Sequence, residues 1–245
     1  MPVGAIIMAI LPANFSTAAL LFLSVVILSI LGGYPFKYIL NIIGIGFVVL
    51  VLFIFVGRSF STSLRVKTDT WKNRILNFND KNPKDTYQVE KAKIAIATGG
   101  VFGRGAGKSV QKNFLPQSSS DFIFAIIVEE YGLFGGISII FLYMWLLYRF
   151  YVVAKKAKTV FATLLVLGVS FPIIFQAIIN MSVASNLIPV TGQTLPLLSS
   201  GGTSIWMTCV AIGVVLSVSA TSMEEDINEE LEDDNPLDVL YEAVD

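Results

Sequence analysis

Long apolar runs with almost no charged residues dominate this sequence. Five of them approach the roughly 20 residues that a helix needs to cross the hydrocarbon core of a bilayer. They are residues 15–31, 39–57, 133–153, 160–181 and 203–221. Over the whole chain 54% of residues are apolar and 14% are charged, against about 45–50% and about 25% in soluble domains. The sequence therefore predicts an all-α polytopic membrane helix bundle with five complete spans and, at residues 1–11, part of a sixth.

The charges divide the chain into a membrane domain, residues 1–222, and an acidic tail, residues 223–245. The tail holds eleven of the eighteen acidic residues and no base. Acids at this density repel one another and bury little apolar surface, so we predict a disordered tail. It serves either to keep the chain solvated or to dock a partner, and the sequence leaves both interpretations open.

Residues 58–120 form the longest polar stretch, with twelve bases and four acids, a net charge of +8. The short basic loop at Lys155, Lys156 and Lys158 favours the cytoplasmic side for that loop and for the tail. Alternation of the spans then predicts that residues 58–120 are an extracytoplasmic loop, since long loops translocate regardless of charge. The positive charge fits either contact with anionic lipid headgroups or a site for a polyanionic, membrane-held substrate.

Two absences narrow the chemistry. The chain has no histidine and a single cysteine, Cys209. An intrachain disulfide, a histidine general base and a histidine-containing metal site are therefore excluded. Proton transfer near neutral pH must use a carboxylate, a lysine or a tyrosine.

The glycine-rich stretch 99–109 resembles a nucleotide-binding loop only superficially. A P-loop needs glycine five residues before the glycine of Gly-Lys-Ser, and Phe102 occupies that position. The stretch is better interpreted as a flexible loop whose exposed amides are available to phosphate oxygens.

Three carboxylates near the third span are candidate functional groups. Asp121 follows three serines and precedes an apolar run, so it is either an acid in a helix's first turn, capped by Ser120, or a general base at the membrane surface. Glu129 and Glu130 lie two turns further on and are either ion-paired for structural reasons or part of a catalytic site. The loop at residues 182–202, rich in proline, glycine and serine, is either a connector or the mouth of a site.

Several separate motifs together resemble one family, the SEDS proteins of shape, elongation, division and sporulation. The matching segments are YQVEKAKIAIATGG at 87–100, NFLP at 113–116, SDFIFA at 120–125, EEYG at 129–132, PVTG at 189–192 and LPLLSSGG at 195–202. Their order and spacing extend the resemblance from residue 11 to about residue 221, and their wording is closest to the division branch of the family.

The resemblance implies a peptidoglycan glycosyltransferase of the bacterial cytoplasmic membrane, acting at the division septum. Its substrate would be lipid II, the disaccharide pentapeptide on undecaprenyl pyrophosphate. Its partners would be a class B penicillin-binding protein transpeptidase, other divisome proteins and membrane lipid, with no nucleic acid. No cofactor and no metal site are expected, and participation of a divalent cation is left open.

The resemblance also implies roles for individual residues. Asp121 matches the family's essential acid and would be the general base on the acceptor 4-hydroxyl, with undecaprenyl pyrophosphate as the leaving group. The candidates for binding substrate and its pyrophosphate are Arg74, Lys91, Lys93, Arg104, Pro116, Ser120 and Glu130. Asn14 and Asn113 stand where many relatives carry acids, so neither can act as a further carboxylate.

The family has ten membrane helices, so we expect this chain to be an N-terminally truncated copy. Two other functions remain open: a lipid II flippase or other transporter, and a non-catalytic scaffold of the divisome. Replacement of Asp121 separates them from the enzyme, because only polymerisation should depend on that carboxylate.

Overall fold

A computed structural model describes residues 2–60, 83–115 and 118–233. Its elements, numbered here in chain order, are α1 (Pro2–Ile10), α2 (Phe15–Leu31), α3 (Phe36–Phe60), α4 (Pro83–Gly99), a 3-10 turn (Gln111–Asn113), α5 (Ile123–Lys156), α6 (Val160–Ala184) and α7 (Gly202–Asp233). The described parts of the chain contain no strand, and the predicted all-α class is confirmed.

Four helices are long and apolar enough to cross a membrane. Their spans are Phe36–Phe53, Ile123–Lys156, Val160–Ala184 and Gly202–Glu224. The remaining predicted span, residues 15–31, is α2. It has the predicted bounds and is apolar, but at 17 residues it is shorter than the other four. The chain is a multi-pass membrane protein.

Side-chain caps set the starts of two helices. The Asn14 side chain accepts a hydrogen bond from the Thr17 amide at 3.3 Å, and the Thr159 hydroxyl accepts one from the Ala162 amide at 3.1 Å. Each bond satisfies an amide that has no partner in the first turn of a helix. The capped helices are α2 and α6, which pack on each other.

Helix α5 begins ten residues earlier than the predicted start at residue 133. Residues 123–131 are apolar apart from two glutamates and are already helical. At Gly132 the backbone leaves the helical region, with φ 69° and ψ −162°. A residue without a Cβ adopts this conformation at little cost, so α5 continues beyond the break as the membrane span.

Residues 58–120 are more structured than a simple loop. Helix α3 runs to Phe60, and α4 buries Ala92 and Ala95 completely as it packs on α5. Their small side chains allow the two helices to approach closely. Residues 61–82, 116 and 117 of this predicted loop lie outside the described residues.

The acidic tail is partly helical, and the prediction of disorder was wrong for residues 223–233. Helix α7 continues to Asp233, because no proline or glycine interrupts this stretch and the next proline is Pro236. Lys158 Nζ also lies 3.2 Å from Asp226 Oδ1, which joins the extension to the loop between α5 and α6. Residues 234–245 lie outside the described chain.

Helix α6 is the centre of the bundle. It contacts α2, α4, α5 and α7, and it buries side chains at intervals of three or four residues. The buried positions include Val166, Ser170, Ile174, Ala177 and Asn180. This stripe ends close to Asp121, so the central helix reaches the candidate site directly.

Candidate active site

Asp121 lies in the turn immediately before α5 and is buried, with 9% of its surface exposed. The Ser120 hydroxyl donates to Asp121 Oδ1 at 2.7 Å. Ser120 therefore binds the carboxylate and does not cap the helix, whose N-cap is Phe122 with no side-chain cap bond. The interpretation of Asp121 as a first-turn acid capped by Ser120 was wrong.

The side chain of Asn180 ties Asp121 to a second loop. Its Nδ2 donates to the main-chain carbonyl of Asp121 at 2.8 Å and to that of Gln193 at 2.7 Å. Asn180 is 1% exposed, so both bonds are shielded from water. A single amide from α6 thus holds together the turn that carries Asp121 and the loop that carries Gln193.

Two serines bind the carbonyls of the two residues before Asp121. Ser199 Oγ donates to Ser120 O at 2.6 Å, while Ser200 donates to Ser119 O from both its amide, at 2.8 Å, and its hydroxyl, at 3.0 Å. Three consecutive main-chain carbonyls, those of residues 119–121, are therefore each held by residues more than fifty positions later in the sequence. We refer to them as the carbonyl row.

Buried side chains fix the loop that carries these serines. Gln176 Nε2 donates to both the carbonyl and the hydroxyl oxygen of Thr194, each at 3.0 Å. The Tyr143 hydroxyl of α5 donates to the carbonyl of Pro196. The stretch that the sequence left as either a connector or a site mouth is thus fastened against the Asp121 turn.

The second oxygen of the Asp121 carboxylate lies beside Gly192. A Cβ placed on Gly192, whose φ is +68°, would lie 3.7 Å from Asp121 Oδ2. Within the described residues, no protein group hydrogen-bonds to Oδ2. The neighbouring Thr191 hydroxyl is likewise buried without a hydrogen-bond partner in the described structure. One carboxylate oxygen is therefore oriented by Ser120, and the other accepts no hydrogen bond from the described residues.

The carboxylate of Glu129, unlike that of Asp121, has hydrogen-bond donors among the described residues at both of its oxygens. It is completely buried, and its carboxylate accepts hydrogen bonds from Ser109 Oγ at 2.5 Å and from the amides of Val110 and Gln111 at 3.2 Å each. The Arg104 guanidinium lies 3.8 Å away, with 41% of its side chain exposed. Both oxygens are occupied by protein, so Glu129 anchors the loop that precedes the 3-10 turn, and the structural interpretation is favoured over the catalytic one.

Four amides of the glycine-rich loop are also occupied. Those of Gly103, Arg104, Gly105 and Lys108 each donate to a protein carbonyl at 2.8–3.1 Å. These four amides are not free to bind phosphate oxygens.

The structure places five of the seven predicted binding residues. Ser120 contacts Asp121 and Arg104 contacts Glu129, as described above. Lys91 Nζ lies 5.4 Å from the ring centroids of both Tyr87 and Phe114, whereas Lys93 is exposed about 200° further around α4. Glu130 is half-buried. Arg74 and Pro116 lie outside the described residues.

Sequence reasoning named Asp121 and Ser120 but missed the buried side chains that hold their turn and the facing loop. Asn180, Gln176 and Tyr143 sit within apolar runs and belong to no short motif. The only available signal was a polar side chain inside a membrane span, which needs a partner because hydrocarbon offers none. In the described part of the chain, no group of three or more acids and cysteines is arranged to hold a metal ion.

Comparisons with known proteins place this architecture in a family. The family model FTSW_RODA_SPOVE, described as cell cycle protein, matches residues 1–224. The chain belongs to this family, and the predicted resemblance is confirmed.

Individual relatives agree with that assignment. The chain is 43% identical over 142 residues to a "Probable peptidoglycan glycosyltransferase FtsW" of Thioalkalivibrio sulfidiphilus, covering 56% of this chain and 36% of the relative. It is 34% identical over 220 residues to the protein of that name from Marinomonas mediterranea, covering 87% and 52%. It is 40% identical over 169 residues to "Stage V sporulation protein E" of Bacillus subtilis, covering 69% and 45%.

The fold is shared with a chain of a solved peptidoglycan synthase complex. The two superpose with a TM-score of 0.63 at 24% identity, over 87% of this chain and 57% of the other. The matched regions of the three relatives span only about a third to a half of their length.

Proposed function

We propose that this protein is a peptidoglycan glycosyltransferase of the bacterial cytoplasmic membrane, which polymerises lipid II at the division septum beside a class B penicillin-binding protein. Membership of the family supports this proposal, as do the names of the relatives. The shared fold with a chain from a peptidoglycan synthase complex supports the involvement of a partner enzyme.

The observation that carries the proposal is the contrast between two buried carboxylates. Glu129 has both oxygens bound by protein donors, whereas Asp121 has one oxygen bound by Ser120 and the other facing Gly192 without a donor among the described residues. A general base needs a fixed orientation and a lone pair within reach of the proton that it removes. Asp121 meets both requirements and Glu129 does not.

The proposed reaction follows from that geometry. Asp121 Oδ2 accepts the proton of the acceptor's 4-hydroxyl as the oxygen forms a bond to the anomeric carbon of the donor. The bond from that carbon to the pyrophosphate oxygen breaks, and undecaprenyl pyrophosphate leaves with the electron pair. Attack from the face opposite the leaving group inverts the anomeric centre.

Cations near the outer loop would stabilise the charge that develops on the pyrophosphate. Lys91 and Lys93 on α4 are candidates, together with the part of Arg104 that remains exposed beside Glu129. Arg74, Pro116 and Glu130 complete the proposed set of substrate contacts.

The test is lipid II polymerisation by the full-length protein with its penicillin-binding partner, comparing wild type with Asp121→Asn. Asparagine keeps the shape of the side chain but cannot take up the proton, so glycan strands should be lost while the complex stays intact. Asp226→Asn, at an exposed acid on the α7 extension, is the matched control and should polymerise normally. Repeating the assay with and without Mg²⁺ tests the expectation that no cofactor is needed.

Undiminished polymer from Asp121→Asn would remove Asp121 from the chemistry. The partner would then be the polymerase, and this protein would be a transporter of lipid II or a scaffold.

A further inference from the structure

An exposed apolar patch joins the loop after α4 to the membrane part of α5. Phe102 is 84% exposed and Phe134 is 60% exposed, and their ring centroids lie 5.8 Å apart. Val101 and Leu133 beside them are also exposed. We call these four side chains the aromatic patch. Covering one such phenylalanine is worth about 1.5–3 kcal/mol, so water is an unfavourable environment for the patch.

Main-chain hydrogen bonds fix the loop that carries Phe102. The Leu133 amide donates to Gly100 O at 2.9 Å, and the Gly105 amide donates to Glu130 O at 2.9 Å. The loop is therefore joined to α5 on both sides of Phe102. The exposure of this phenylalanine is a property of a fixed backbone and does not come from a free loop tip.

Two glycines allow the backbone of this loop and that of α5 to approach closely. A Cβ on Gly103 would lie 2.2 Å from Glu130 O, and one on Gly132 would lie 2.3 Å from Val101 O. Both glycines also have positive φ, at 75° and 69°. Side chains are excluded at both positions, so the two backbones touch and the loop cannot turn Phe102 inward without breaking this contact.

The patch continues into a surface of α5 that faces outward. Ile137 and Phe141 are exposed and lie three and seven residues after Phe134, on the same side of the helix. This stripe belongs to a span that is long and apolar enough to cross a membrane. Phe102 therefore stands at the end of a surface for which lipid is the natural solvent.

Basic residues border the patch on the side of the loop. Arg104 and Lys108 follow Phe102 within six residues, and both are exposed. Aromatic rings next to cations are typical of the zone between headgroups and acyl chains, where the ring enters the apolar layer and the cation meets phosphate.

We propose that the aromatic patch inserts into the leaflet nearest the N-terminal end of α5, with Phe102 at the boundary between headgroups and acyl chains. The bilayer itself is the partner of this surface. Because the loop is fastened to the start of α5, the insertion fixes the height above the membrane of the turn that carries Asp121. The inference concerns a lipid contact and does not depend on the proposed enzymatic activity.

Spin labelling tests the proposal directly. The full chain carries Cys209→Ala to remove its only cysteine, and a nitroxide is attached at Phe102→Cys, Ala106→Cys or Ile137→Cys. Each protein is reconstituted into vesicles of phosphatidylcholine and phosphatidylglycerol, and collision rates with oxygen and with a water-soluble nickel chelate are measured. Position 106 is the exposed control in the same loop, and position 137 is the lipid-facing reference within α5.

Oxygen concentrates in the acyl layer and the nickel chelate in water. The ratio of oxygen to nickel collisions at 102 should therefore be close to that at 137 and on the order of tenfold higher than at 106. A ratio at 102 equal to that at 106 would overturn the proposal. Protection at 102 from both reagents would also overturn it, because protein would then cover the patch.

Labelling at Phe102→Cys removes the aromatic ring, so a second measurement uses a variant that has an aromatic side chain at position 102. Phe102→Trp, in a chain whose three native tryptophans are replaced by phenylalanine, should be quenched by dibrominated phospholipid. Quenching by aqueous iodide alone would place the ring in water and contradict the insertion.

Discussion

Replacing Asn180 with alanine should disable the site without removing any group that touches substrate. The Asn180 amide is the shared donor for the carbonyls of Asp121 and Gln193, at 2.8 and 2.7 Å. Both carbonyls belong to buried residues, and an acceptor left unpaired in such surroundings costs about 1–3 kcal/mol.

Part of this cost is offset within the same side chain. Asn180 Oδ1 is itself buried without a hydrogen-bond partner in the described structure, so alanine also removes one orphaned acceptor. The net local destabilisation is then about 1–3 kcal/mol, because two unpaired carbonyls replace one. That is enough to release the Asp121 turn while the helices stay packed.

The expected readout is a fall in kcat of roughly 10- to 100-fold, since misplacement of a reacting group by about 1 Å costs about that much. KM should change by less than about twofold, because Asn180 acts through Asp121 and does not bind substrate. Lipid II polymerisation by the reconstituted complex measures both. Asn180→Ser retains one donor and should give intermediate activity.

The matched control is Ser170→Ala in the same helix. Ser170 is as buried as Asn180, but its hydroxyl donates only to the carbonyl of Val166 in its own helix, at 2.6 Å. Polymerisation by this variant should be close to that of wild type. Equal kcat losses in Asn180→Ala and Ser170→Ala would refute the reasoning, and so would unchanged amide exchange at residues 118–122 in Asn180→Ala.

Three further predictions follow from other contacts of the site. Glu129→Gln should destabilise the protein by about 2–4 kcal/mol in thermal unfolding, because an amide nitrogen would face N–H and O–H donors. Arg104→Gln should cost at most about 1 kcal/mol, because its ion pair with Glu129 is partly exposed, and equal losses in the two variants would contradict this account. Gly192→Ala should lower polymerisation at unchanged expression, because the methyl group would lie beside Asp121 Oδ2 and residue 192 has a positive φ. Full activity would show that the space beside Oδ2 is unused. Gly132→Ala should cost more than about 3 kcal/mol of stability, because its Cβ would overlap the carbonyl of Val101; a normal unfolding temperature would disprove the close contact.

The apolar helices could be predicted from the sequence because hydropathy and length decide them locally, whereas α4, which lies within the predicted loop, was missed. The predicted bounds of α2 match the structure, and the other spans are longer at their ends. The early start of α5 was missed, since Glu129 and Glu130 interrupt the apolar run and their partners lie elsewhere in the chain. The helical start of the tail was missed because the density of acids outweighed the absence of helix-breaking residues.

The site was predicted only in part, for a physical reason. Asp121 was identified by its motif and its position at the edge of a span. The donors to the carbonyl row, Asn180, Ser199 and Ser200, are 59 to 81 residues away from their acceptors. No local pattern encodes such pairs, since they depend on how α5, α6 and the following loop pack.

The carbonyl row has a consequence for how the protein is made. When Asp121 leaves the ribosome, none of the three donors that hold residues 119–121 has yet been synthesised. At about 5–20 residues per second, the chain needs roughly 4–16 s more to reach Ser200. During that interval the turn has only its own short-range bonds. The geometry of the Asp121 turn is therefore completed late in biogenesis, after α6 has entered the membrane and the loop behind it has folded back.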